Sequence, residues 1–132
     1  MSELEQKTSK NPYTETFFEE KFHSLGFKQL TDIQKRALPI IYQKINALII
    51  APTGSGKTEC SVIPIFSQIK KTKKQGKIKA LYITPSRSLN RDVFRRITKY
   101  AEQDDLTIQV RHGDTPQTLR KKISDSPPDV LI

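Results

Sequence analysis

Apolar residues along this chain follow two spacings, one typical of helices and one typical of buried strands. Apolar and largely β-prone runs predict strands at residues 47–51, 80–84, 107–111 and 129–132. Segments of helical periodicity lie between them, near residues 57–70, 88–101 and 116–123. Strands that alternate with helices predict crossover units, and therefore an α/β fold with a parallel sheet covered by helices.

Two further helices are predicted before the first strand. Pro12 suits the opening position of the first of them, and Gly26 ends it. The second helix is predicted to begin near Thr31, with a break or restart at Pro39. Residues 1–11 are polar and mixed in charge, so we expect them to form a flexible tail.

The length of 132 residues suits one domain, which we place at residues 12–132. Its last run remains apolar up to Ile132, without a turn signal or a polar end. A buried strand needs neighbours to close its sheet. We therefore expect the chain to be the front part of a longer protein, with a sheet that is incomplete at the C-terminus.

The composition adds a preference for a polyanionic partner. The net charge is +9, from 23 Lys and Arg against 14 Asp and Glu. Six lysines fall between Lys70 and Lys79, however, and such a cluster also suits the solvated C-terminal end of a helix. The single cysteine, Cys60, excludes a disulfide framework and a Cys-based zinc site. Without a signal peptide or a membrane-length apolar run, we expect a soluble, cytoplasmic protein with no membrane partner.

The first predicted strand leads directly into a Gly-rich turn, Ala51-Pro52-Thr53-Gly54-Ser55-Gly56-Lys57-Thr58. Its glycines allow the backbone to curl, so that successive N–H groups and the next helix N-terminus face phosphate oxygens. Lys57 is expected to reach the β- and γ-phosphates of a nucleoside triphosphate, and the Thr58 hydroxyl to hold Mg²⁺. The alternative is an ordinary Gly-rich turn between a strand and a helix.

A second constellation lies upstream, at residues 26–34. Within it, Thr31-x-x-Gln34 is a capping box, in which Gln34 reaches back to the backbone N–H of Thr31. The functional interpretation is that the Gln34 amide binds the adenine edge, because an amide offers a donor and an acceptor together. The two interpretations are compatible, since a capped helix start also holds the amide in place.

These motifs together resemble those of superfamily 2 helicases. Residues 26–34 resemble the Q motif, residues 51–58 resemble motif I, and residues 84–89 resemble motif Ia. Glu59 and the runs at residues 90–92 and 111–115 are similar to the Lhr-like branch of that superfamily. The resemblance implies a three-layer, RecA-like P-loop NTPase fold, with ATP and Mg²⁺ as cofactors. It also implies two partners, a second RecA-like lobe and nucleic acid, which is expected to be single-stranded or partly duplex DNA, with RNA as the alternative.

The resemblance extends to the adenine site. Phe17 lies seventeen residues before Gln34, where DEAD-box members carry an aromatic that stacks on adenine. Phe27 belongs to the stretch that resembles the Q motif. The expected ATP contacts are therefore Phe17, Phe27, Gln34 and residues 51–58, with Lys57 and Thr58 as the catalytic pair.

Candidate nucleic-acid contacts follow two of the predicted strands, at the ends where ligands gather in open α/β sheets. Small polar side chains and exposed N–H groups there suit contacts to phosphates. The candidates are Pro85, Ser86, Arg87, Asn90 and Arg91 after one strand, and His112, Gly113, Asp114 and Thr115 after another. A solvated helix face is the alternative for Arg87 and Arg91, and a local turn hydrogen bond is the alternative for His112.

The chain lacks the acidic motif that the family pattern has at the end of a strand. It contains no DEAD or DEAH tetrapeptide, and Asp129 precedes its apolar run instead of ending it. A carboxylate at the end of a strand is needed to hold Mg²⁺ and orient the attacking water. We therefore expect an ATP-dependent helicase in the whole protein, and a nucleotide-binding half-site with negligible turnover in this chain alone. Another P-loop phosphotransferase, or a non-catalytic module that binds nucleotide or nucleic acid, is the alternative.

Overall fold

The computed structural model describes residues 15–72 and 76–132. Those ranges hold helices α1 (Glu15–Ser24), α2 (Asp32–Tyr42), α3 (Lys57–Lys70), α4 (Arg87–Gln103) and α5 (Gln117–Asp125), and strands β1 (Ala80–Leu81), β2 (Ile108–Gln109) and β3 (Val130–Leu131). The predicted tail and the helix start at Pro12 lie outside the described residues. The chain divides into two compact units, residues 1–61 and 62–132.

Helices α1 and α2 supply the apolar interior of the first unit. Phe18 and Phe22, four residues apart on α1, are both buried, as the helical spacing predicts. The Phe18 ring packs edge-to-face against Tyr42 of α2, with 5.7 Å between ring centroids. Leu38 of α2 is also buried.

Helix α2 corrects one prediction and confirms another. The predicted capping box is present: the Thr31 hydroxyl accepts from the Gln34 backbone N–H, and the Gln34 side chain accepts from Thr31. The break predicted at Pro39 is wrong, because α2 continues through Pro39 to Tyr42. Pro39 has no N–H, so the helix loses only the hydrogen bond that residue 39 would donate to the carbonyl of Lys35. Both residues are exposed, so solvent can reach this part of the helix.

The strand predicted at residues 47–51 is wrong within the described chain. This segment has no regular secondary structure. Leu48 is 86% exposed and Ile50 is 83% exposed, and no described strand pairs with the segment. An apolar run becomes a strand only when a neighbour satisfies its backbone groups and covers its side chains. The apolar pattern alone does not supply that neighbour.

The second unit contains a three-stranded parallel sheet in the order β1-β3-β2, which confirms the predicted α/β class. Backbone hydrogen bonds continue past the strand ends, from Tyr82 to Leu131 at 2.8 Å and from Arg111 to Ile132 at 2.7 Å. The central strand β3 is buried, as its continuous apolar sequence predicts. Across the described part of the chain, no helix combines the length and apolarity needed to cross a membrane.

Asp129 joins all three strands at the amino end of the sheet. Its carboxylate accepts from the Lys79 ammonium at 2.7 Å, and from the Thr107 N–H and hydroxyl at 2.9 and 3.0 Å. Burial raises the pKa of Asp129, but the hydrogen bonds from Lys79 and Thr107 outweigh it and hold the pKa below its ordinary value. This acid is therefore structural, and it lies at the opposite end of the strands from the candidate nucleic-acid contacts.

Replacing Asp129 by asparagine should lower the free energy of unfolding by about 2 kcal/mol at pH 7, because it leaves the Lys79 ammonium without its counter-charge. The folded-state pKa lies below the unfolded value of about 3.9, so this stabilisation is present above that pH and disappears as the pH falls through the folded-state pKa. Urea unfolding across that range measures both effects. The exposed Asp92→Asn variant is the control for charge, and equal unfolding midpoints for the two variants at pH 7 would contradict the prediction.

Candidate functional site

In the first unit, residues 51–58 form a turn that leads into α3. The Lys57 ammonium folds back over the loop and donates to the carbonyl oxygens of Ala51 at 2.5 Å and Pro52 at 2.7 Å. The Ser55 N–H donates to the Pro52 carbonyl at 3.3 Å and closes the turn. Helix α3 begins at Lys57, so the positive end of its dipole faces the loop. The ammonium is thus held at the loop by two carbonyls that a stronger, anionic acceptor can replace.

Gln34 connects this loop to the start of α2. Its amide oxygen accepts from the Thr31 N–H at 2.9 Å, and its amide nitrogen donates to the Gly56 carbonyl at 3.2 Å. The Thr31 hydroxyl donates to the Ser55 carbonyl at 2.9 Å. Gln34 is buried, with 2% exposure, but each of its two amide atoms retains one unused hydrogen-bonding position. The two motifs, more than twenty residues apart in sequence, therefore form one hydrogen-bonded unit.

Gly56 has no room for a side chain. Its φ of +85° is a conformation that L-residues rarely adopt, and a Cβ placed there would lie 2.2 Å from the Gln34 amide nitrogen. Gly54 has a similar φ of +80°, yet a Cβ there would meet no described atom within 4 Å. Both glycines serve the turn, but only Gly56 also permits the close approach of Gln34.

Ser55 contributes an unpartnered group to the loop. Its Oγ is buried and is the one buried side-chain oxygen or nitrogen in the described ranges that lacks a hydrogen-bond partner. Such a hydroxyl is costly to leave unsatisfied, by about 1–3 kcal/mol. Thr53 is exposed and Thr58 is half-buried at the first turn of α3.

The two aromatic candidates occupy the first unit as well. Phe17 lies on α1, half-buried, with its ring edge-to-face on Phe18 at 5.4 Å between centroids. Phe27 follows the left-handed Gly26 and packs on Phe22 at 5.4 Å. Each ring therefore has one side supported by the core of the unit.

Cys60 is not a nucleophile at this site. It is fully buried one turn into α3, and burial together with the neighbouring Glu59 carboxylate raises the pKa of its thiol to about 11. The thiol is therefore protonated at neutral pH and unreactive.

In the second unit, the structure brings the two candidate nucleic-acid segments together. They leave the carboxyl ends of the parallel strands β1 and β2, and an ion pair between Arg87 and Asp114 joins them. Both side chains are more than 60% exposed. A cavity of about 410 Å³ lies at these strand ends, and its lining includes Thr84, His112 and Gly113. We call it the strand-end cavity.

Arg120 of α5 holds the loop at residues 112–115. Its guanidinium donates to the backbone carbonyls of Thr115 at 2.8 Å, His112 at 3.5 Å, and Gly113. Inside the loop, the His112 N–H donates to the Thr115 hydroxyl at 2.8 Å, and the His112 Nδ1 accepts from the Asp114 N–H at 3.2 Å. The second of these bonds is the local turn interaction that was the alternative for His112. Hydrogen bonds within the loop and from Arg120 therefore define its conformation.

The remaining candidates lie at the start of α4. Ser86 is its N-cap, and its hydroxyl accepts from the Leu89 N–H at 3.4 Å. Pro85 is exposed just before the cap, and Arg91 is exposed one turn after Arg87. The backbone of Asn90 is helical, and its side chain lies outside the description.

Sequence reasoning missed the roles of Thr31 and Arg120. The capping box could have revealed Thr31, because a capping hydroxyl is held beside the helix start and can bond a second segment. No local signal marks Arg120, since its partners are backbone carbonyls that any residue would present.

Comparison with known proteins identifies a family and several relatives of this chain. The family described as DEAD/DEAH box helicase matches residues 31–132. The chain is 32% identical over 133 residues to the ATP-dependent helicase Lhr-Core of Sulfolobus acidocaldarius. This match covers 92% of this chain and 15% of that relative. It is 30% identical over 108 residues to the ATP-dependent RNA helicase DBP10 of Meyerozyma guilliermondii, covering 81% of this chain and 12% of that relative.

A solved structure has the same fold. The helicase Lhr of Mycobacterium smegmatis, bound to single-stranded DNA and AMP-PNP, superposes with a TM-score of 0.72 and 34% identity. The match covers 86% of this chain and 16% of that one. The likeness confirms the α/β class predicted from the alternation of strands and helices, and the RecA-like fold that the family resemblance implied.

Proposed function

Because the chain belongs to the DEAD/DEAH box helicase family, we propose that it is the ATP-binding part of an ATP-dependent nucleic-acid helicase. The membership confirms the resemblance inferred from residues 26–34, 51–58 and 84–89, and the Lhr relatives support its Lhr-like branch. The observation that carries the proposal is the hydrogen-bonded unit of Thr31, Gln34, Ser55 and Gly56.

In this proposal ATP phosphates occupy the loop at residues 51–58. The Lys57 ammonium exchanges the carbonyls of Ala51 and Pro52 for phosphate oxygens, and the Ser55 hydroxyl gains a partner. Backbone N–H groups of the loop and the α3 N-terminus supply further positive potential. Thr58 holds Mg²⁺, which neutralises phosphate charge when it is bound.

Gln34, Phe17 and Phe27 form the adenine side of the proposed site. The Gln34 amide uses its remaining hydrogen and lone pair for the adenine edge, while its other two positions keep it attached to the loop. The aromatic rings offer faces for stacking. In this way base identity and loop position are linked through one side chain.

We further propose that a nucleic-acid strand binds at the carboxyl ends of β1 and β2. Its contacts are Pro85, Ser86, Arg87, Asn90 and Arg91, with His112, Gly113, Asp114 and Thr115. We favour DNA, because the Mycobacterium smegmatis relative was solved with single-stranded DNA. Hydrolysis and strand movement belong to the whole protein, with a second lobe, in the cytoplasm. This chain has no DEAD or DEAH tetrapeptide and should turn over negligibly by itself.

Titration with a fluorescent ATP analogue in the presence of Mg²⁺ tests the nucleotide site. Unlabelled ATP should displace the analogue at least about five-fold more effectively than GTP, because an amide's donor–acceptor pair discriminates bases by about 1–3 kcal/mol. Equal displacement by GTP would favour another P-loop phosphotransferase, since Gln34 would then have no role. Absence of any saturable binding would overturn the proposal.

A further inference from the structure

A basic groove continues from the strand-end cavity onto α5. A second cavity of about 510 Å³, which we call the α5 cavity, is lined by Arg111, Gln117, Thr118, Arg120, Lys121 and Ser124. Arg111 and Arg120 line both cavities, so the two cavities adjoin each other. The lining of the pair contains three permanent cations and no carboxylate. Like charges placed together without a counter-charge repel one another, and such an arrangement favours an anion.

The cations of this groove differ in the hydrogen bonds and ion pairs that they form within the protein. Arg120 is held by the carbonyls of the 112–115 loop. Arg111 and Lys121 are exposed, and neither has an acidic partner among the described residues. Arg87, the cation expected from sequence to bind phosphate, is instead paired with Asp114. Positive charge without a carboxylate partner is therefore present on the α5 side of the loop.

We propose that Arg111 and Lys121 are phosphate ligands for a single nucleic-acid strand that passes from the strand-end cavity across the α5 cavity. Gln117, Thr118 and Ser124 line the same path and supply uncharged donors for phosphate and sugar oxygens. This extension rests on the proposed nucleic-acid function. It adds a second run of backbone contacts beyond the segments at residues 84–91 and 112–115.

The geometry favours a continuous sugar–phosphate backbone over a single anion. The cations are divided between two adjoining cavities, because Arg111 and Arg120 line both and Lys121 lines the α5 cavity alone. The lining includes no aromatic ring apart from His112, so bases have no stacking platform there. Binding across α5 should therefore be independent of base sequence and strongly dependent on salt.

The chain provides a matched control in Lys122. It is exposed and adjacent to Lys121 on α5, but it lines a different cavity with Thr107, Pro127 and Pro128. Lys122→Ala removes the same charge from the same helix as Lys121→Ala. A variant that exchanges the two cations, Arg111→Lys with Lys121→Arg, keeps both charges in the groove.

The test is the salt dependence of binding to a labelled oligothymidylate, measured by fluorescence anisotropy. Each lost phosphate contact should reduce the slope of log K against log salt by about 0.7, so the Arg111→Ala, Lys121→Ala double variant should lose about 1.4. A four-fold rise in salt should then weaken the wild-type chain about seven-fold more than the double variant. The Lys122→Ala and charge-exchanged variants should keep the wild-type slope. Thermal unfolding of each variant verifies the fold. If the double variant does not fold, the two single variants are measured instead, and each should lose about 0.7 from the slope of log K against log salt.

The outcomes separate the two proposals. If the wild-type chain binds with a salt-dependent affinity but the double variant keeps the slope of Lys122→Ala, the α5 path is wrong and the proposed function stands. If the wild-type chain shows no salt-dependent binding, the nucleic-acid part of the proposed function and this extension both fail. A slope that falls equally in Lys122→Ala would mean a diffuse charge effect, and would overturn the assignment to Arg111 and Lys121.

Discussion

Replacing Lys57 by alanine should weaken ATP binding at least about 100-fold while leaving the chain folded. The ammonium is the one side-chain cation that the structure places on the 51–58 loop, where it bridges two carbonyls. Hydrogen bonds to charged groups contribute about 1.5–3 kcal/mol each, and contacts to two phosphates would be lost together. Titration with a fluorescent ATP analogue measures the affinity, and thermal unfolding measures the fold.

The fold should tolerate this change because water can reach the carbonyl of the exposed Pro52 once the ammonium is gone. Lys77→Ala is the matched control, since it removes the same charge from an exposed position in the other unit. It should retain wild-type affinity. Unchanged ATP affinity in Lys57→Ala would refute the assignment of the site, whatever its effect on stability.

Replacing Gly56 by alanine should both destabilise the chain and remove nucleotide binding. The new Cβ would require a left-handed conformation, which costs about 1–2 kcal/mol, and would displace the Gln34 amide from a distance of 2.2 Å. Losing the buried hydrogen bonds of Gln34 adds about 1–3 kcal/mol. The total should be about 2–5 kcal/mol in urea unfolding.

Gly54→Ala separates these two causes. Its φ is nearly the same, but a Cβ there has open space around it, so it should show the conformational cost alone. A double-mutant cycle between Gly56→Ala and Gln34→Ala then measures the steric contact. The two changes should be strongly non-additive, because truncating Gln34 removes the atom with which the Cβ collides. Additive effects, or equal losses in Gly54→Ala and Gly56→Ala, would show that the contact is unimportant.

The elements predicted best are those whose signals are local. Helix α3 at Lys57–Lys70 has the predicted bounds, and the capping box of Thr31 and Gln34 is present as its spacing requires. Both depend on residues three or four apart along the chain, where the helix repeat fixes which side chains meet. The parallel strands also follow from their apolar runs, although only two residues of each run form regular strand.

The elements predicted worst depend on partners distant in sequence. Residues 47–51 have the composition of a buried strand, yet Leu48 and Ile50 are exposed because pairing is a property of two segments. Arg87 has the position of a phosphate ligand, and its pairing with Asp114 follows from the meeting of two loops. Neither outcome is encoded in the residues next to the segment concerned.

The sequence alone determined the kind of site. The order of strand, glycines, Lys57 and Thr58 predicts a phosphate loop, because backbone curvature and helix direction follow from local residue types. The tertiary structure decided how that loop is completed. Only folding brings the Gln34 amide onto Gly56 and leaves Arg111 and Lys121 as the available cations beside the 112–115 loop. Hydrogen bonds and charges act through space, so the partners of a side chain are fixed by packing between segments that the linear order keeps apart.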